Sequence, residues 1–525
     1  MRCIPTVLLT LLLLSSAVAF IPDTSSAEDQ TVYHDGKFSF ILNSSNKAIL
    51  TMYDNEHPEQ IVEIPSPIID RNTGTGYELV EIRGEFDSPT IEKIVIPTTV
   101  TTISEMAFYA AKGVKEYDID GVSSYFEVDG GVLYTYGMHK LVRYPVNNDA
   151  TTYTINSTTS EICMDAFAGA TKLETVNFGT NLVKISDQAF NDCTSLTTVN
   201  FNSTLSVIGS SAFYSCTSLA TVVFPDDLVM IGNHAFYESG LTGTVNIPYG
   251  VEYIGDGAFA SCTKLTGFTS DNYRYTVGEG DDTGILFYGG EDNKSLMCYP
   301  AGRPNTEYTL QPKITVNKNA FEGCVNLKTI HLPSDYTTIP QMTFYGCHSL
   351  ESIDLENVSV IEPLAFFNCY NLTSVNLSDN LLVIGELSFM MSGLEKIEIP
   401  SSVVTVDSMA FCGCDSLTDV TIAESSKATF DVDVFLACNH LKTITVNSSD
   451  VVFEKYSLTV GNDLQDVTID VYVKSGYSLP SDVADEHTII NVKIIGERPY
   501  PWVNIIGVVI CALGIIGILY GMRQV

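Results

Sequence analysis

The stretch ISDQAFNDCTSLTTVNF at residues 185–201 is followed, 23 residues after its start, by IGSSAFYSCTSLATVVF at 208–224. Ile185 falls on Ile208, Ala189 and Phe190 on Ala212 and Phe213, Cys193 on Cys216, Leu196 on Leu219, and Phe201 on Phe224. The central Phe recurs at Phe108, Phe167, Phe190, Phe213, Phe236, Phe259, Phe321, Phe344, Phe366, Phe389, Phe411 and Phe435. Two long gaps aside, successive spacings are 22, 23 or 24 residues, a register that chance does not hold over twelve units.

Within the unit, Leu196-x-x-Val199-x-Phe201 is the LxxLxL core of a leucine-rich repeat. Val199 and Phe201 point inward from a short strand and Leu196 closes the bend before it. The Ala-Phe pair packs inside the return limb. One unit cannot bury these side chains, whereas a stack buries a continuous apolar column. The expected fold is a β-rich leucine-rich repeat solenoid, with short strands on the concave face and irregular or short helical return limbs.

The array is read over 91–446, starting at Ile91-x-x-Ile94-x-Ile96-Pro97. The two gaps, at about 122–150 and 270–310, resemble each other. The first holds Gly131-Val132-Leu133-Tyr134 and then Leu141 through Tyr144-Pro145; the second holds Gly284-Ile285-Leu286-Phe287 and then Leu296 through Tyr299-Pro300. Each reads as a hairpin inserted between coils, turning at Gly137 and at Gly289-Gly290. Residues 20–90 read as an N-terminal β cap, with turn chemistry at Asn72 to Gly76, and 447–496 as a C-terminal β cap, since solenoid ends must be covered.

The chain has 525 residues, too many for one compact core, which is what a repeat array accommodates. Lys and Arg total 27 against 63 Asp and Glu, so the net charge is −36 and nucleic acid is excluded as a partner. Residues 1–19 read as a secretory signal: a basic start, an apolar run from Ile4 to Leu14, and small Ala17 and Ala19 before the cut. After a stalk at 497–501, residues 502–522 are nearly all apolar and long enough for one transmembrane helix, with a cytoplasmic tail of 523–525. These features predict a single-pass type I plasma-membrane protein with its N-terminus outside. The competing reading of the tail is a GPI-anchor signal, weakened by Arg523 and Gln524. Sequons at Asn43, Asn156, Asn202, Asn293, Asn357, Asn371, Asn376 and Asn447 are glycosylation candidates.

Little points to chemistry. Eight Cys stand three residues after the repeat Phe, from Cys193 to Cys438. Disulfides between coils and buried spacers are both consistent with that column, and Ala170, Ser239 and Ser392 in the same place favour the spacer. Cys412 and Cys414 lack a second pair to complete a zinc site. The eight His are isolated, and no HExxH, GxSxG or P-loop occurs. No catalytic residue, cofactor site or metal site is assigned. Asp271, Glu279, Asp281 and Asp282 read as a solvated acidic turn rather than a calcium site.

Side-chain alternation aims a second set of residues at solvent from the strands. That strip comprises Thr175, Asn177, Thr198, Asn200, Thr221, Thr244 and Asn246, and then Thr329, His331, Ser352, Asp354 and Ser374. Short polar groups lose little side-chain entropy on contact, so the strip is the candidate partner-binding surface. The plainer account is that Thr is a strong strand former and any exposed sheet face is polar.

The unit Ile-Gly-x-x-Ala-Phe-x-x-Cys-x-x-Leu-x-x-Val-x-Phe, as at 208–224, and the Tyr-Pro insertions resemble the BspA-like surface antigens, built from Treponema-type leucine-rich repeats. The resemblance spans roughly residues 35–490. It implies a cell-surface protein of a mucosal bacterium or parasitic protist, linked to adhesion, and the type I anchor favours a trichomonad-like protist. The tail is too short for the endocytic signals of many protist members. The resulting expectation is an adhesin binding a host-cell or matrix protein or glycan, with self-association as a variant. The alternative is an acidic, glycosylated coat or antigenic protein without a specific ligand.

Overall fold

The computed structural model describes residues 31–53, 59–290, 293–461 and 466–495. The signal segment, stalk, membrane span and tail read from the sequence lie outside these residues. No helix among the described residues is long and apolar enough to cross a membrane. The chain divides into two compact units, Met1–Tyr136 and Gly137–Val525.

In the larger unit each coil is tied to the next along three rows. The first row is the strand foreseen in Leu-x-x-Val-x-Phe. Thr152–Thr154, Thr175–Asn177 and Thr198–Asn200 pair in parallel, residue for residue, so that Val176 stacks on Val199. The second row runs through two-residue strands just ahead of each Ala-Phe pair: Glu161–Ile162, Lys184–Ile185, Val207–Ile208, Met230–Ile231 and Tyr253–Ile254. The sequence reading assigned one strand per coil and missed this row, because two residues are too few for an alternation to be seen. Its coils sit close. A Cβ on Gly232 would lie 2.4 Å from the backbone nitrogen of Ser210.

The third row is the return limb. The N–H of Phe167 donates to the carbonyl of Ala189 at 2.7 Å, Phe190 to Ala212 at 2.8 Å, and Phe213 to Ala235 at 2.7 Å. Each of these limbs holds its Phe between two left-handed residues. Gln188 (φ 55°) and Asp192 (φ 57°) flank Phe190, and Ser211 and Ser215 (both φ 53°) flank Phe213. Of the two expected forms, irregular or short helical, the limbs take the irregular one. A left-handed residue on either side of the Phe stops a helix, and the limb N–H groups point along the stack to the neighbouring coil. Among the described residues the helical segments include the 3₁₀ turns Tyr136–Met138 and Gly280–Asp282, both in the insertions.

These limbs stack the Phe rings into a column. Centroids lie 4.6 Å apart for Phe167–Phe190, 5.0 Å for Phe190–Phe213, 5.1 Å for Phe213–Phe236 and 5.5 Å for Phe236–Phe259. A second column runs from Phe321 to Phe435 with spacings of 5.1 to 5.8 Å. Burial of each ring contributes roughly 1.5–3 kcal/mol and each stacked pair about 1 kcal/mol more.

The insertions are not simple hairpins between coils. In the second, Tyr275–Val277, Leu286–Tyr288 and Ser295–Cys298 form an antiparallel meander, but Ser295–Cys298 then pairs in parallel with Thr315–Val316. Its last strand is therefore already a coil, with Tyr299 in the Phe position, 5.1 Å from Phe321. In the first, Tyr144 stacks 4.9 Å from Phe167 in the same way. The Tyr-Pro pairs head the two columns. Arg303, 7% exposed, holds the second insertion by donating to the carbonyls of Asp281 (2.6 Å) and Thr283.

In the smaller unit an antiparallel start, Tyr33–His34 on Phe38–Leu42 on Ala48–Tyr53, turns into parallel pairing with Leu79–Glu85 and Thr102–Ile103. The rings of Tyr53, Phe86 and Phe108 follow one another at 5.5 and 5.2 Å, so coil-like stacking begins before the first full repeat. At the C-terminal end of the larger unit, Val467–Val473 pairs with Thr443–Val446, and Thr488–Ile494 with Val467–Val473, all in parallel.

Candidate binding face

The first row presents the strip. Val176, Val199, Val245, Ile330 and Ile353 point into the core, while Thr198, Asn200, Thr244, Asn246, His331, Ser352 and Asp354 are exposed and Thr175, Asn177 and Thr329 half-buried. Parallel in-register pairing puts identical positions side by side: Thr175 beside Thr198 and Asn177 beside Asn200. These side chains bond along the stack. The Asn200 amide donates to Asn177 Oδ1 at 2.8 Å, and the Asn177 amide to Thr154 Oγ1 at 3.2 Å. Thr269 donates to Asn246 at 2.9 Å, Thr329 and Ser352 hydroxyls lie 3.5 Å apart, and His331 Nε2 meets Glu307 at 2.6 Å.

The strip is not continuous. Thr221 and Ser374 are exposed but lie in segments without strand pairing, so the row breaks into separate runs. At the first break Val223 is 83% exposed beside Thr221, an apolar group that the search for polar residues passed over. The second insertion and the coil before it add exposed tyrosines that the sequence reading did not single out: Tyr273 and Tyr249 are 63% and 68% exposed.

The sequons differ in their surroundings. Asn293, Asn357, Asn371 and Asn376 are exposed, and Asn376 lies on the strip itself. Asn202 donates its amide to the Leu182 carbonyl at 2.9 Å and Asn156 to Met138 Sδ at 2.9 Å, so both amides already have partners. Asn43 accepts N–H bonds from Ser45 and Lys47 at 3.0 Å, and Asn447 is half-buried.

The cysteine column resolves to thiols. Cys216, Cys262, Cys324, Cys347, Cys369, Cys414 and Cys438 are buried and free of disulfides. The thiol donates to the carbonyl of the Phe one coil back: Cys193 to Phe167 and Cys216 to Phe190 at 3.2 Å, Cys262 to Phe236 at 3.0 Å, Cys438 to Phe411 at 3.1 Å. Burial pushes the thiols of Cys262 and Cys414 up to about 12, which makes them inert as nucleophiles. Ser239 and Ser392, the substitutes in this column, lie 3.3 Å from Cys262 and Cys414.

Glu322 is a buried carboxyl at the junction of the Phe259 and Phe321 coils, where the Ser261 N–H donates to its carbonyl at 3.2 Å. Asn319 donates to Glu322 Oε2 at 2.5 Å, yet burial outweighs that and the neighbouring Tyr237 and Ser261, raising its pKa to about 7. The adjoining cavity, lined by Gly257, Phe259, Cys298 and Asn319, measures about 10 Å³, room for one water and no substrate. The acidic turn is tied inward, Tyr308 donating to Asp282 at 2.9 Å, and among the described residues no group of three or more side chains gathers to hold a metal ion.

Stacked coils carrying one exposed polar face define a leucine-rich repeat solenoid. The chain belongs to the family of the BspA type leucine rich repeat region, whose model matches in six copies over residues 83–127, 146–266, 305–414 and 383–478. Solved structures with a similar course include a leucine-rich cell surface protein from Faecalibacterium prausnitzii, 22% identical over 80% of this chain and 96% of that one, with a TM-score of 0.45. The pneumococcal vaccine antigen PcpA is 17% identical over 88% of this chain and 99% of its own, with a TM-score of 0.41. A leucine-rich repeat protein from Bacteroides ovatus is 20% identical over 78% and 93%, with a TM-score of 0.34. Comparison with curated protein sequences finds no match.

Proposed function

We propose that this chain is a surface-anchored adhesin that binds a host-cell or extracellular-matrix macromolecule through its solenoid face, without catalysis. One observation carries the reading: in-register pairing lines up Thr175, Asn177, Thr198 and Asn200, then Thr329, His331, Ser352 and Asp354, as rows of short polar side chains. Such rows meet a partner with many hydrogen-bonding groups at little entropic cost. The secretory signal at 1–19 and the span at 502–522 belong to this proposal, as does glycosylation at the exposed Asn293, Asn357, Asn371 and Asn376.

The test is attachment of the full-length chain to epithelial cells and to a panel of matrix proteins. Saturable attachment that is lost when Thr198, Thr221 and Thr329 are replaced by Arg, with folding intact by circular dichroism, is the expected result. Attachment that persists in this variant removes the strip as the contact surface. A second reading, an acidic glycosylated coat with no ligand, draws on the Asn200–Asn177–Thr154 bonds, which satisfy the face without a partner. Its signature is non-saturable signal on every surface.

A further inference from the structure

The second insertion and the coil before it expose four tyrosines around one arginine. Tyr249, Tyr253, Tyr273 and Tyr288 are 68%, 46%, 63% and 40% exposed. Tyr249 and Tyr273 rings lie 5.9 Å apart, tilted by 46°. Arg274 donates from Nε to the Tyr273 hydroxyl at 2.7 Å, and its guanidinium lies 5.3 Å from that ring's centre. Tyr288 packs 5.3 Å from the buried Tyr275, whose hydroxyl accepts the Ile254 N–H at 2.8 Å beside Tyr253. These contacts join Tyr249, Tyr273, Arg274 and Tyr288, while Tyr253 bonds Asn233 beside them.

Two features give the patch a chemistry. Many of the lysines are neutralised by carboxylates: Lys93, Lys140, Lys172, Lys184, Lys328 and Lys396 form ion pairs, whereas Lys294 and Lys455 lie over aromatic rings. Arg274 forms no ion pair among the described residues, and its polar neighbours are the hydroxyls of Tyr273 and Tyr288. A cation held by neutral phenols keeps its charge available for a ligand carboxylate. The four tyrosines make this patch predominantly aromatic, with one exposed aliphatic side chain, Val229, whose carbonyl accepts the Tyr253 N–H. Phenol rings rimmed by hydroxyls match a sugar, with its C–H faces and its hydroxyls. The net charge of −36 repels a polyanion, which restricts the ligand to one carboxylate among neutral groups.

We infer that this patch is a carbohydrate subsite for an oligosaccharide bearing a single carboxylated sugar, with Arg274 on the carboxylate and Tyr249 and Tyr273 against the sugar faces. The inference rests on the adhesin reading and names one ligand class for it, at a location apart from the polar strip.

The experiment presents the full-length chain with sialyllactose, lactose and a short polyglutamate peptide, all immobilised, and measures attachment to epithelial cells in parallel. Saturable binding to sialyllactose over lactose is expected, falling by about tenfold in Arg274→Gln and in Tyr273→Ala, with Lys396→Gln unchanged. Equal binding to lactose, or full binding by Arg274→Gln, overturns the subsite. Arg274-dependent binding to polyglutamate without sialyllactose binding overturns the sugar in favour of an acidic protein. Cell attachment that is normal in Arg274→Gln, with no sugar bound, overturns the subsite and leaves adhesion standing. Sugar binding without attachment to any cell or matrix overturns the adhesin reading alone.

Discussion

The phenylalanine column and the polar face repeat with the same register, yet they are constrained differently. Phe190 and Phe213 are wholly buried, 5.0 Å apart and within 2° of parallel, so each ring fits only because its neighbours are rings. Thr198 and Asn200 on the face are exposed, and Asn200 has one side-chain bond, to Asn177. A change in the column leaves a cavity that neighbouring coils cannot fill. On the face it leaves water. The identity of the buried residue is accordingly held from coil to coil, while the face drifts from Thr and Asn to His331 and Asp354.

The largest effect that separates the two regions is expected from Phe213→Ala, which removes a ring from mid-column and destabilises by about 3–5 kcal/mol. Urea unfolding followed by tyrosine fluorescence and circular dichroism measures it. A loss below about 1 kcal/mol breaks the contrast.

Glu322 probes the column's junction. Its folded pKa of about 7 lies above the ordinary carboxylate value, so between those two pH values the folded state binds more protons than the unfolded one. Stability therefore falls as pH rises from about 4.5 through about 7, by an amount on the order of 3 kcal/mol in total. Glu322→Gln should flatten that decline in thermal melts and gain stability above neutral pH. A wild-type profile that rises over this window contradicts the buried, uncompensated carboxyl.

Cys216→Ala removes a thiol that bonds to the Phe190 carbonyl and is expected to destabilise by about 1–2 kcal/mol. Reductant should change nothing in the parent, and thiol reagents should label Cys216 only after unfolding. Asn200→Ala gives the smallest effect, under about 0.5 kcal/mol. A loss as large as that of Cys216→Ala would mean that the Asn ladder is a structural element, not a surface left open for a partner.

Much of this was legible in residues 185–201. The strand at Thr198–Asn200, the burial of Phe190 and the spacer role of Cys193 follow from period and residue type, because burial repeats with the coil. The face positions were legible too, since side chains alternate on a strand. The second insertion is recognisable as special from Gly284 to Pro300, and Tyr299, 22 residues before Phe321, keeps the period; its place at the head of a column is hidden because the register is carried there by Tyr and not by Phe.

By itself the sequence determined that the chain is a leucine-rich repeat array and which residues line its core. Those properties are local in period, and each unit restates them. Only the tertiary structure decided the second row of two-residue strands, the left-handed pairs that turn the return limbs, the breaks at Thr221 and Ser374, and the meeting of Tyr249 with Tyr273 across 24 residues. Each depends on what the neighbouring coil offers: a carbonyl to accept an N–H, room for a ring, or a strand ending early. One unit's composition contains none of that.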